Sequence, residues 1–554
     1  MSRISLWFSI GWIFLLFSGC VPSTVEVSPT QPENSLPVET TKVFSLSENT
    51  PTVVATDVPT AGAFPIWFDG AIPPFARELI LQDKLFTVAD NPENSIGVFE
   101  IGAPEGINAI QAGVLVYSLA VAFPEPKMSE SLKTLKDIWW GTLSFPLLMS
   151  PETFKVFNAY WGEPTSNSIE VMEESLMLEK VWKTPGAMAI LPFDHLTSRW
   201  RALPVDGISP FDSNFFPQSY SLGVPVRMVM KQPITLSIQA DKNLFAHYRR
   251  EQITFLAMTG VTALSRRTAQ RMNEKGVLYP QENIGALLSS ADLTHISNEV
   301  SFNPECPPEK AQLREALFCS PPEYIQLLEA VGTDIVELTG NHNLDRGVEA
   351  YLYSLSLYQE RGWQVFGGGE AQAQASKPLL IENHGNRLAF IGCNQAGPEI
   401  AWAGENSPGA ARCDLSWMKE QVSSLRSQGV LPIVTFQSVE TEDYRPAPMQ
   451  RPGDYLQMAQ AGAVIVSGSQ SHAPQGFSFI ENNLIHFGLG NLFFDQTDTF
   501  LTSQAFIDWH VFYQGRYLGV WLIPIRLEDY SRPRLMTQDE SLSLLKKVFE
   551  ASLW

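Results

Sequence analysis

Residues 324–347 read Tyr324-Ile-Gln-Leu-Leu-Glu-Ala-Val331, Gly332-Thr333, Asp334-Ile-Val-Glu-Leu338 and Thr339-Gly340-Asn341-His342-Asn343-Leu344-Asp345-Arg346-Gly347. The first eight predict an amphipathic helix that Gly332 ends, and the apolar run after it predicts a buried strand. A helix feeding a buried strand whose far end carries Asn341, His342 and Asp345 is the unit of an α/β protein. In such folds ligands gather beyond the carboxyl ends of the strands.

The unit recurs on both sides. A strand over 253–258 runs into Thr259-Gly260, and a helix over 350–359 precedes a strand over 363–366. Strands over 378–382 and 387–392 flank Asn383-His384-Gly385-Asn386, a hairpin turn. A helix over 415–425, a strand over 431–436, a helix over 455–461 and a strand over 463–467 follow. Alternation of this kind requires crossovers and a sheet covered on its faces. Three more strand ends carry polar residues: Ser297-Asn298-Glu299, Gln437-Ser438-Val439-Glu440 and Ser469-Gln470-Ser471-His472.

Before this body, residues 64–229 alternate strand-like and helix-like stretches. The run 112–123 predicts a buried strand. Ser129 or Ser131 caps a helix with Leu132, Leu135, Ile138 and Trp139 on one face. The run 186–193 predicts another buried strand.

The N-terminus carries an address. Arg3 precedes an apolar run over 4–17, too short to span a bilayer, and then Ser18-Gly19-Cys20. The pattern resembles a bacterial lipoprotein signal, in which the cysteine, here Cys20, is lipidated; Phe17 stands where a leucine is usual. Residues 21–59 are Pro, Ser, Thr, Val and Glu with few large apolar side chains, and predict a flexible stalk. An extracytoplasmic protein, tethered to the cell membrane by lipid, is the expectation.

Roughly 490 residues remain for folded domains. A hydrophobic content of 44% with 14 tryptophans predicts filled globular cores, and a formal charge of −21 excludes a basic stripe for nucleic acid. Apart from Cys20 there are Cys306, Cys319, Cys393 and Cys413. Four cysteines allow three pairings in an oxidising compartment; sequence proximity favours Cys306–Cys319 and Cys393–Cys413. A zinc site is the alternative, though no CxxC spacing supports it.

Two resemblances follow from these residues. Ser129 to Gly141 and Ile190 to Phe193 are similar to the recurring helix and strand of phosphate- and anion-binding periplasmic solute-binding proteins, without their Ser-Gly-Thr loop. Residues 340–347 resemble the Gly-Asn-(Asn/His)-His-x-Leu-Asp-x-Gly segment of the bacterial capsule-synthesis (CapA-type) family. Asp292 to Glu299, Gln437 to Glu440, Ala461 to His472 and Leu484 to Asp495 fall in the family's order. That resemblance implies a calcineurin-like metallophosphatase fold and a part in making a poly-gamma-glutamate capsule. The expected architecture is α/β: a C-terminal four-layer α/β/β/α sandwich over 250–510, preceded by a smaller solute-binding-like α/β domain over 61–235. A signal over 1–20, a stalk over 21–60 and a C-terminal extension over 511–554 complete it.

The departures bear on chemistry. The family's first strand ends in Gly-Asp; here Met258-Thr259-Gly260 carries no carboxylate. Gln437 replaces a histidine, and Ser469 or Gln470 replaces another, leaving His472. Two-metal hydrolysis needs bridging carboxylates and several imidazoles, which Thr and Gln do not replace. The remaining set (Asn298, Glu299, Asn341, His342 and His472) suits at most one divalent ion of unknown identity. Alternatively the site runs metal-free, with His342 or Glu440 carrying a proton and Asp345 assisting. Asp345 has a second reading as a helix N-cap. Asn341, Gln437, Gln470 and Asn491 are the candidate substrate contacts. The expected partners are the membrane, through the lipid, and an anionic extracellular polymer or small anion. The competing expectation is a non-catalytic lipoprotein that binds polymer or ligand.

Overall fold

The computed structural model describes residues 63–82, 84–103, 108–231, 244–310, 317–439 and 441–554. The expected signal with Cys20 and the stalk lie outside the described residues. The long strand Ala109–Ala122, buried from Ala112 onward, organises the first body. It pairs with Gly223–Met230 and then Trp200–Leu203 along one edge and with Met188–Pro192 along the other, all antiparallel. Phe64–Phe68, Phe86–Val88, Gly97–Ile101, Leu147–Met149 and Ile169–Val171 complete a nine-stranded sheet among the described residues. Of the two serines proposed as a cap, Ser131 accepts the Thr134 N–H and opens Leu132–Trp139, whose Leu135, Ile138 and Trp139 are buried.

The second body stacks two sheets. In the first, Gln364–Phe366, Ile335–Glu337, Leu293–Asn298 and Ile253–Thr262 lie side by side and parallel. Gln504–Tyr513, Arg516–Glu528 and Arg532–Leu535 continue it antiparallel, and Asn491–Phe493 pairs with the end of Ile253–Thr262. The second sheet runs Leu379–Asn383, Asn386–Asn394, Leu431–Gln437, Ile465–Ser467, Asn483–His486, Phe477–Ile480. The expected hairpin turn is present, with both central residues, His384 (φ 48°) and Gly385 (φ 77°), in the left-handed region that such turns need.

Leu256, Met258 and Ile335 of the first sheet pack against Phe390, Ile433 and Ile465 of the second. Helices Leu415–Ser427 and Pro452–Ala461 bury Met418, Val422 and Met458 on the outer face of the second sheet. Arg266–Lys275, Ile325–Ala330 and Gly347–Glu360 cover the first sheet through Met272, Leu328 and Tyr358. The result is the expected four-layer α/β/β/α sandwich behind a smaller α/β body.

Residues 511–554 depart from the expected extension. Arg516–Glu528 is hydrogen-bonded along its length to Gln504–Tyr513 within the first sheet. The helix Gln538–Ala551, opened by a Thr537/Glu540 capping box, buries Leu544, Leu545 and Val548. The alternation of apolar residues in 516–528 fits a strand with one face on a core, so this segment is integral to the sandwich.

Phe123, at the end of the organising strand, joins the bodies. Its buried ring meets Phe477 at 5.1 Å, Phe479 at 5.0 Å, Phe549 at 5.8 Å and Trp554 at 6.0 Å. Both favoured disulfides, Cys306–Cys319 and Cys393–Cys413, are formed.

Candidate functional site

The carboxyl ends of the parallel strands in the two sheets meet, and the side chains there bind one another directly. Gln437 Nε2 donates to Asn341 Oδ1 at 3.0 Å, and Gln470 Nε2 donates to Ser297 Oγ at 2.6 Å. Ser469 Oγ donates to Glu337 Oε2, and Asn394 Nδ2 donates to the Thr339 carbonyl at 2.9 Å. Each of these bonds ties the first sheet to the second. Of the expected substrate contacts, Asn341 and Gln437 are bonded to each other, and Gln470 is bonded to Ser297.

His342 lies on one side of this seam. Its Nδ1 stands 2.8 Å from Asp345 Oδ2, and its Nε2 3.8 Å from Glu299 Oε1. Asp345 Oδ2 also accepts the Phe318 N–H at 2.8 Å. The helix Gly347–Glu360 starts after Arg346 with no side-chain cap, so Asp345 serves His342 and Phe318 rather than the helix end. A carboxylate on Nδ1 fixes the ring's orientation and favours the tautomer with its proton there.

His472 lies on the other side, with Nδ1 2.7 Å from Asn491 Oδ1. The Asn491 amide nitrogen is spent on the Gln496 and Thr502 carbonyls, at 3.0 and 3.2 Å, so Asn491 positions His472 and is not turned to a substrate. Arg266 spans the two histidines. Its guanidinium sits 4.8 Å from the Phe318 ring and 4.6 Å from the Phe494 ring. Those rings lie 4.6 Å from His342 and 5.0 Å from His472 respectively. Buried Asp495 holds the Arg266 guanidinium, and Arg266 adopts a left-handed backbone (φ 49°) that costs a non-glycine residue about 1 kcal/mol. Nothing in the pattern of Ser265-Arg266-Arg267 pointed to this role; Phe318, Phe494 and Asp495 become visible as partners only in three dimensions.

Beneath the seam lies a second set that sequence reading passed over. Glu337 is fully buried; its Oε2 is 3.0 Å from His295 Nε2, and its Oε1 accepts from Thr339 Oγ1 at 2.6 Å. Burial opposes its charge, but the bonds from His295, Ser469 and Thr339 outweigh this and hold its pKa below the usual glutamate value. His486 Nδ1 stands 2.6 Å from Asp508 Oδ2, and buried His510, 2.9 Å from the Tyr517 hydroxyl, has its pKa pushed down to about 4 by desolvation. His295 and His486 thus each meet a carboxylate from another strand, Glu337 and Asp508.

The expected metal ligands do not assemble a coordination sphere. Among the described residues no three His, Cys, Asp or Glu side chains converge as an ion requires. Asn298 donates its amide to the Val300 carbonyl and the Tyr358 hydroxyl, both at 2.7 Å, beneath the helix layer. Asn341 is bound to Gln437 and His472 to Asn491. Glu440 lies outside the described residues. The donor set does not fit a metal centre; Gln437 Oε1 and Gln470 Oε1 are buried and have no hydrogen-bond partner.

Residues 255–496 match the family model described as bacterial capsule synthesis protein PGA_cap. The capsule biosynthesis protein CapA of Bacillus anthracis is 22% identical over 318 residues, covering 56% of this chain and 76% of that protein. The PGA biosynthesis protein CapA of Bacillus subtilis (strain 168) is 24% identical over 191 residues, covering 34% of this chain and 50% of that protein, so the chain spans half its length. Among solved structures, the NAD nucleotidase NadN of Haemophilus influenzae is similar with a TM-score of 0.32 at 10% identity, over 54% of this chain and 57% of that one. An ABC-type phosphate transport receptor of Vibrio cholerae is similar with a TM-score of 0.26 at 12% identity, over 31% of this chain and 88% of that one.

Proposed function

We propose, from the match of residues 255–496 to the bacterial capsule-synthesis family model, that this protein takes part in the biosynthesis or export of a capsule polymer of the poly-gamma-glutamate kind. It works on the outer face of the cell membrane, tethered through Cys20. The observation that carries this reading is the joining of the strand-end segments of the two sheets, Gln437 to Asn341, Gln470 to Ser297 and Ser469 to Glu337. Asn341, His342, Gln437, Gln470 and His472 belong to that one seam, and Asp345 orients the imidazole. An imidazole so held accepts or delivers a proton at Nε2.

A second reading, binding without catalysis, draws on the amides. Neutral Gln437, Gln470 and Asn341 supply recognition but little charge stabilisation. The test is genetic and cellular. Cells lacking the gene are complemented with wild type, His342→Ala or Cys20→Ala, and surface polymer is measured. Loss of polymer restored by wild type supports the role, and Cys20→Ala protein found in the medium supports the tether. Unchanged polymer in the deletion strain sinks the proposal. Polymer restored fully by His342→Ala favours the binding reading.

A further inference from the structure

We infer that the strand-end site is organised by direct side-chain hydrogen bonds that stand where metal coordination would stand in the fold's metal-dependent members, and that the site is metal-independent. This rests on the same cleft as the proposed function, but it is read from the purified protein's stability. The two can therefore fail separately.

Coordination of one or two ions needs several anionic or imidazole donors turned to one point. At the positions where the family carries such donors, this chain has Thr259, Gln437 and Ser469-Gln470. Each is committed to a protein partner. Thr259 Oγ1 donates to the His295 carbonyl at 2.8 Å. Gln437 reaches Asn341, Gln470 reaches Ser297, and Ser469 reaches Glu337. The last three join residues on opposite sheets, which is the connection that a shared ion makes between loops. The carboxylate among them, Glu337, faces the interior and is saturated by His295, Thr339 and Ser469. A carboxylate with three donors has nothing to gain from a cation that must displace them.

The burial of the staples strengthens the point. Glu337, Ser469, Gln437 and Gln470 are each at most 1% exposed. In such surroundings a satisfied hydrogen bond persists, because breaking it leaves a desolvated polar group. The loops are therefore pre-organised before any ligand arrives.

Full-length mature protein, purified without chelator, is assayed for bound metal and melted with EDTA and with added Zn²⁺, Mn²⁺, Mg²⁺ or Ca²⁺. The expected result is below about 0.2 equivalents of any of these metals and Tm shifts under about 1 °C in every condition. Gln437→Ala, Gln470→Ala and the interior variant Glu337→Gln each lower Tm by about 2–5 °C, equally with and without EDTA. Stoichiometric bound metal, or a saturable rise in the wild-type Tm on adding one of the ions that His342→Ala abolishes, overturns the inference. So does an unchanged Tm in both glutamine variants. The two glutamine substitutions, which remove no buried charge, keep the test usable if Glu337→Gln does not fold.

Discussion

His342 and Asp345 form an ion-pair geometry across a single turn, with Nδ1 and Oδ2 2.8 Å apart. The same oxygen receives the Phe318 N–H, so one carboxylate orients the imidazole and anchors the ring packed on it. Asp345→Ala is expected to cost about 1–3 kcal/mol in urea unfolding, since it strands a backbone donor and frees the histidine. Asp345→Asn, which still offers an oxygen to Phe318, is expected to recover most of that loss while weakening the hold on His342. Equal losses in the two variants would show that the shared acceptor is not what matters.

The buried histidine His510 predicts a pH dependence. Its pKa falls from the ordinary 6.5 to about 4 in the fold, chiefly through desolvation. Asp508 opposes that shift, whereas His486 and His295 add to it. Between those values the unfolded chain binds a proton that the folded chain refuses, so stability rises with pH across the window. The group accounts for about 3 kcal/mol between pH 4 and 6.5, and nothing further above it. Glu337 acts at the acid end. Its folded pKa lies below 4.5, so its contribution is complete above that value and is lost as pH falls through the folded one. Urea melts at several pH values test this, and His510→Gln should flatten the slope between pH 4 and 6.5. A slope unchanged in that variant would remove His510 from the account.

Reduction of the disulfides should destabilise the sandwich. Cys306–Cys319 and Cys393–Cys413 close segments separated by 13 and 20 positions. Loop-closure entropy assigns about 3 kcal/mol to each. Paired Cys→Ala variants, one bridge at a time, are expected to lower the denaturant midpoint without changing the far-ultraviolet circular dichroism spectrum. A midpoint equal to that of wild type in either pair contradicts this.

The junction of the two bodies should depend on Phe123. Truncation to alanine leaves a cavity facing Phe477, Phe479, Phe549 and Trp554, and the expected cost is about 3–5 kcal/mol. Limited proteolysis should then release the bodies from each other earlier than in wild type. Unaltered digestion would indicate that other contacts hold them, such as the Ser198 hydroxyl on the Asn482 carbonyl.

Local pattern made much of the fold legible. The apolar run 431–436 became Leu431–Gln437, the helix over 415–425 became Leu415–Ser427, and the His384-Gly385 turn followed from residues that tolerate positive φ. The segment 511–554 was not legible as part of the sandwich. Nothing inside Arg516–Glu528 states that its partner is Gln504–Tyr513 and that this hairpin extends a parallel sheet. The site divided in the same way. Asn341, His342, Gln437, Gln470 and His472 stood out as polar residues after apolar strands. The Arg266 stack and the Glu337–His295 pair did not, because an arginine or glutamate in isolation looks like any solvated charge.

The amino-acid sequence by itself determined the alternation of helices and strands and the polar strand ends, because each depends on neighbours a few positions away. Tertiary structure alone decided what those polar residues do. Gln437 and Asn341 are 96 positions apart, Glu337 and Ser469 are 132, and Ser297 and Gln470 are 173. A short side chain shows no preference for a partner at that separation. Packing two sheets face to face brings these buried donors within reach of acceptors on the opposite sheet, and the cost of leaving a donor unpaired favours the pair.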